Sequence, residues 1–184
     1  MAAMSEQHGT VRVWDIGVRL FHWSLLTCVA GAWLFVDPRS LHRWLGYCVI
    51  GLIAFRLIWG LVGSRHARFT DFIKGPRTVL AYLRAMVAGT ERRHLGHNPA
   101  GAAMIVALLL TLAGICTTGI MMGMDAYFGV SWVEHWHEGL VNGLLILVAM
   151  HLVGVVTASW RHRENLVASM VHGHKDAHET GAEP

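Results

Sequence analysis

The chain has 184 residues, 54% of them hydrophobic and only 15% charged, with a formal net charge of +3. A soluble domain carries about 25% charged residues, so this composition argues against one. The basic residues flank apolar runs, which excludes nucleic-acid binding as the meaning of an isoelectric point near 9.0.

The first apolar run holds no charge from Leu20 to Val36. A hydrocarbon core of about 30 Å needs roughly 20 residues of helix, and the run reads as a transmembrane helix over about residues 18–37. It sits behind Glu6 and Asp15 and lacks a basic segment and small-residue cleavage site, so it reads as a retained helix rather than a signal peptide. The second run, 41–63, carries Arg43 at its start and Arg56 inside it. A shorter pattern follows, in which Val79, Leu80, Leu83, Met86 and Val87 keep the helical period between Pro76 and Gly89. Proline suits a first helical position and glycine a stop, which predicts a short helix at the membrane interface. The third span, 98–124, is uncharged from Asn98 to Met124, and the fourth, 136–161, from Gly139 to Trp160. The expected fold class is an all-α membrane protein, one domain with a four-transmembrane-helix bundle. Residues 173–184 are polar and read as a disordered tail, with His172, His174 and His178 as solvated side chains beside or within it.

Lysine and arginine set orientation. Arg12 and Arg19, seven cations between Arg65 and Arg93, and Arg161, Arg163 and Lys175 fall on one side. Only Arg39 and Arg43 fall on the other, so both termini are expected in the cytoplasm, beside anionic lipid. Trp14, Trp23, Trp44, Trp59, Trp132, Trp136 and Trp160 lie near span ends, as an aromatic belt does. Cys28, Cys48 and Cys116 have no disulfide or zinc spacing and read as small core residues.

His137 and His151 lie 14 residues apart in the fourth run. At 3.6 residues per turn they share a face, about 21 Å apart along the axis. That separation is too large for one metal and suits two, stacked across a membrane. Depth pairs His42 with His137 on the outer side and His22 with His151 on the inner side. Zinc prefers four ligands at one point, whereas two at each of two depths suit the axial positions of two b-type haems. No CxxCH attachment motif is present, so the haems would be non-covalent. His22 lies only three residues past Arg19 while His151 lies ten before Arg161, so the fourth helix must run into the cytoplasm or tilt. Arg56, 14 residues after His42, would face the inner haem and meet a propionate through a bidentate contact; the alternative is a side chain that snorkels to the interface. His135 is expected in the outer loop or at the interface, and His94 and His97 in a solvated cytoplasmic loop, the alternative being a place near the inner propionates or a quinone.

VWDIGVRLFHW (Val13–Trp23), LHRWLGY (Leu41–Tyr47), FRLIWGLVGSRHARFTDF (Phe55–Phe72), LGHNPAGA (Leu95–Ala102), WHEGLVN (Trp136–Asn142) and RENLVASM (Arg163–Met170) together resemble the bacterial cytochrome b561 family, related to the b-type cytochrome subunit of nickel–iron hydrogenases. The resemblance covers most of the chain. It implies a four-helix diheme cytochrome of the bacterial inner membrane with ligands at His22, His42, His137 and His151 and none on the third helix. It further implies single-electron transfer between ubiquinone or menaquinone and a periplasmic c-type cytochrome or other redox subunit. A second function of the same fold is superoxide oxidation coupled to ubiquinone reduction. That needs positive charge at the outer face to steer an anion, and only Arg39 and Arg43 stand there against Asp37, Asp125 and Glu134.

Overall fold

The computed structural model describes residues 9–177. Asp15 starts α1 (Ile16–Leu34) by accepting the Val18 amide at 2.9 Å, the side-chain cap that satisfies an otherwise orphaned helix donor. A short turn leads to α2 (Arg39–Val62), a 3₁₀ turn (Arg65–Ala67) and the single-turn α3 (Phe69–Phe72). The expected short helix is α4 (Pro76–Ala88), with proline at its start and Gly89 at φ 69° closing it. Asn98 caps α5 (Pro99–Met122) through the Gly101 amide at 2.7 Å. A second 3₁₀ turn (Asp125–Tyr127) precedes α6 (Ser131–Arg161), 31 residues long. Then α7 (Leu166–His172), capped by Asn165, ends at Gly173 with φ 89°.

Three helices, α2, α5 and α6, are long and apolar enough to cross a membrane. α1 has 19 residues, about 28 Å of helix, and Arg19 and His22 in its first two turns dilute its apolar character. α1 packs chiefly on α2 and α5 on α6, while α2 also meets α5. One apolar cluster draws from all four: Leu25 and Val29 of α1, Val49 and Ile53 of α2, Leu112 of α5, and Leu144 and Val148 of α6. Cys28 and Cys116 join it as free thiols, and Cys48 is free and exposed. Leu61, Leu110 and Val156 are each more than 60% exposed on the outer surface, far more apolar area than a water-soluble bundle presents.

The bundle has two unlike ends. The apical end holds the α1–α2 turn and the α5–α6 loop. The basal end holds a second buried cluster of Val13, Trp14, Val18 and Ala67, with Trp59 and Met170 against it. There the C-terminal segment folds back. Trp14 Nε1 donates to Ser169 Oγ at 3.3 Å, Trp23 Nε1 to the Met170 carbonyl at 3.2 Å, and Arg19 to the Val171 carbonyl. β2 (His174–Asp176) then pairs antiparallel with β1 (Thr10–Arg12), Val11 opposite Lys175.

Two expectations need correction here. Residues 173–177 are not a free tail: the Gly173 carbonyl accepts from the Val13 and Trp14 amides, and the Lys175 side chain is buried beside Glu164 and over the Trp14 ring. Residues 178–184, His178 among them, lie outside the described residues. The two short strands also qualify the all-α expectation. In addition, α6 begins at Ser131, five residues before the expected start, so His135 is helical, its Nδ1 2.6 Å from the Ser131 carbonyl.

Candidate haem ligand pairs

His42 sits in the first turn of α2 and His137 in the second turn of α6, both at the apical end. Their ring centres are 6.4 Å apart with planes at 67°. A metal–imidazole bond is about 2.0 Å, and the ring centre lies about 1.2 Å behind the bonded nitrogen, so two imidazoles on opposite sides of one iron place their centres ~6.4 Å apart. Rotation of either ring about the shared axis leaves that spacing unchanged, so the interplanar angle is free.

The second nitrogens complete the arrangement. His42 Nδ1 lies 2.9 Å from the Ala32 carbonyl, which can only accept, so this nitrogen carries the proton. His137 Nδ1 lies 2.9 Å from Thr118 Oγ1, itself 3.0 Å from the Gly114 and Ile115 carbonyls. A hydroxyl has one proton; given to a backbone carbonyl, it leaves the oxygen to accept from His137 Nδ1–H. Both Nε2 atoms then keep their lone pairs for iron. A metal-bound histidine needs this outer partner to fix its tautomer and ring orientation. The residues present fit a bis-histidine haem.

His22 and His151 lie deeper. His151 is 14 residues, about 21 Å, beyond His137 on α6, and His22 is 12 residues, about 18 Å, before the apical end of α1 at Leu34. His151 is close enough to act electrostatically on His22, whose ring meets Trp23 edge-on at 5.2 Å. His22 Nδ1 is buried without a hydrogen-bond partner. Among the described residues no three histidines, cysteines or acids gather as one metal cluster. α6 continues ten residues past His151 to Arg161.

Arg56 is only 3% exposed. Its Nη1 donates to the Ala67 carbonyl at 3.0 Å, and its guanidinium lies 4.8 Å from the Phe69 ring centre and 5.8 Å from that of Phe72. His94 is exposed, as expected of a loop. His97 is not solvated, contrary to expectation. It is wedged between Trp14 and Phe72, both ring centres at 4.6 Å, with its Nδ1 unpartnered. Burial first, then the charges of Arg56 and Lys175, pushes its pKa down to about 3.

Sequence reasoning missed Thr118, the Ala32 carbonyl and the burial of His97. Thr118 carried a signal, since a polar side chain within an apolar helix marks a functional candidate. The Ala32 carbonyl carried none.

The prokaryotic cytochrome b561 family model matches residues 13–173. A probable Ni/Fe-hydrogenase B-type cytochrome subunit of Bradyrhizobium diazoefficiens is 24% identical, over 90% of this chain and 86% of that protein. Its counterpart in Azotobacter vinelandii, named in the same words, is 26% identical over 89% and 87%. No solved structure matches. With the family pattern running through all four long helices and into α7, the chain belongs to the prokaryotic cytochrome b561 family.

Proposed function

We propose that this membrane cytochrome spans the bacterial inner membrane four times, holds two b-type haems and carries electrons between quinone and a periplasmic redox partner. The observation that carries the reading is the His42–His137 pair, at the spacing of trans axial ligands with both outer nitrogens already bonded. His22 and His151 are assigned to the second, inner haem. α1 counts as the fourth span because it shares one apolar core with α2, α5 and α6. The excess of Lys and Arg at the basal end supports a cytoplasmic position for both termini.

Haem supplies a one-electron couple; the chain supplies position and surroundings. His42 and His137 would hold one haem iron, while the apolar cluster shared by the four long helices would keep water from the path between the two sites. Arg56 retains further N–H donors after its bond to Ala67, enough to take an inner propionate. The hydrogenase-subunit names of the relatives support a redox subunit as partner, a periplasmic c-type cytochrome being the simplest class. Ubiquinone or menaquinone is the membrane substrate. Superoxide oxidation ranks second, because Arg39 and Arg43 face Asp37, Asp125 and Glu134 and do not make a field that gathers anions.

A pyridine haemochrome assay should give two haems per chain, and anaerobic quinol should reduce both. One haem per chain would remove the inner assignment. Reduction by superoxide near the diffusion limit, slowed by added salt, would reverse the ranking of the two functions.

A further inference from the structure

α5 is the long helix without a ligand histidine, yet it touches His137 at two successive residues. Thr118 is buried, 8% exposed, and its hydroxyl lies 2.9 Å from His137 Nδ1. At Gly119 a side-chain carbon would stand 3.4 Å from His137 Cε1, so α5 passes in van der Waals reach of the imidazole there. Thr118 adds the hydrogen bond.

The Thr118 hydroxyl is anchored in turn. It reaches the Gly114 and Ile115 carbonyls of its own helix at 3.0 Å each. With its proton held there, the oxygen faces His137 only as an acceptor. An acceptor at Nδ1–H draws the proton outward and makes the opposite nitrogen a stronger donor to iron. A stronger donor favours ferric over ferrous iron and lowers the reduction potential. His22 offers the contrast within the same chain, since its Nδ1 is buried without any partner.

We propose that Thr118 is a positioning residue that sets the tautomer of His137 and lowers the potential of the apical haem through a hydroxyl-to-imidazole hydrogen bond. The inference rests on the assignment of His42 and His137 to one haem and adds a role for the ligandless helix. It makes the two haems unequal by construction: one has an anchored acceptor behind its α6 ligand, while the α1 ligand of the other has none.

The experiment is a potentiometric titration of both haems in the purified full-length protein, with electron paramagnetic resonance of the ferric form. The variants are Thr118→Val, which keeps the shape and removes the hydroxyl, and Thr118→Ser, which keeps the hydroxyl. Thr118→Val should raise the potential of one haem, change that haem's low-spin signal and leave the other haem at its original value. Thr118→Ser should restore the wild-type potential and signal. Loss of one haem in Thr118→Val with recovery in Thr118→Ser supports the same role. Two unchanged potentials in a fully loaded Thr118→Val protein would overturn it, as would loss of haem in both variants. The underlying pair is checked separately: if His137→Ala still binds two haems, the ligand assignment itself has failed.

Discussion

The two ends of the bundle are held by different physics. At the basal end, segments more than 140 residues apart in sequence are tied together by side-chain hydrogen bonds from Trp14, Arg19 and Trp23. The ion pairs found among the described residues also lie at this end. The apical end has the histidine pair and, among the described residues, no ion pair, although Asp37, Arg39, Arg43, Asp125 and Glu134 lie there, while Phe128, Trp132 and Trp136 stand exposed around it. In the basal end the long-range hydrogen bonds and ion pairs are made within the polypeptide, with Arg19 Nε and His97 Nδ1 left over. In the apical end two imidazole centres stand 6.4 Å apart, a gap that an iron held between them would fill.

The largest effect should come from emptying that gap. His137→Ala is expected to lose one haem and leave the spectrum of the other largely intact, read by pyridine haemochrome and low-temperature optical spectra. Loss of both would mean that the two depths are not independent and would collapse the distinction between the ends. At the basal end Asp15 carries the most. It caps α1, accepts Trp59 Nε1 at 3.1 Å and receives the Ser64 hydroxyl. Burial raises its pKa, but the bonds from Ser64, Val18 and Trp59 outweigh this and hold it below the ordinary value. Bonds to a charged acceptor contribute about 1.5–3 kcal/mol, so Asp15→Ala should destabilise the protein by roughly 2–3 kcal/mol. Thermal unfolding in detergent would show this as a lower Tm with haem content unchanged.

A smaller, pH-dependent effect sharpens the same contrast. His97 has a folded pKa of about 3 against an ordinary 6.5. Between those values the unfolded chain binds a proton that the folded chain refuses, so stability rises with pH across the window. The contribution is complete above about pH 6.5 and is lost toward pH 3, on the order of 1 kcal/mol per unit. His97→Gln should flatten the fall of Tm between pH 6.5 and 4.5 relative to wild type. An equal slope in both proteins would show that the pocket between Trp14 and Phe72 admits the charged ring. The smallest effect is expected at Arg161, which bonds Glu91 at 2.7 Å and the Met86 carbonyl at the edge of the structure. An ion pair near the surface gains little, because solvent screens it and two long side chains must be held in one geometry. Arg161→Gln should therefore move Tm by no more than a degree or two, and a larger shift would mark α4 as part of the basal clasp.

The sequence shows the long helices plainly because hydrocarbon imposes length and composition on them, as charge-free runs do in α5 and α6. The bounds of α4 were legible for a different reason, since Pro76 and Gly89 act through local backbone geometry alone. The proposed ligand set grew from the 14-residue spacing of His137 and His151 and the depths of His22 and His42. Its support was not legible in the sequence. Thr118 reaches His137 only through the packing of α5 on α6, and the Ala32 carbonyl has no side chain to give it away. The pairing of Thr10–Arg12 with His174–Asp176 escaped because strands of three residues are too short to show a period. His97 escaped because its burial is made by Trp14 and Phe72, which come from distant segments.

α6 carries one histidine of each proposed pair on a single unbroken rod of 31 residues. The axial interval between those two histidines is therefore written into covalent backbone, and the spacing of the two proposed haems would follow from it. One inserted residue between His137 and His151 would turn the second imidazole by about 100° and point it away from its partner. Seven would bring it nearly back into line but carry it about 10 Å farther along the rod. Deletions and insertions here would act as phase errors in a ruler, so the hop length between the centres is a property that the gene measures out residue by residue.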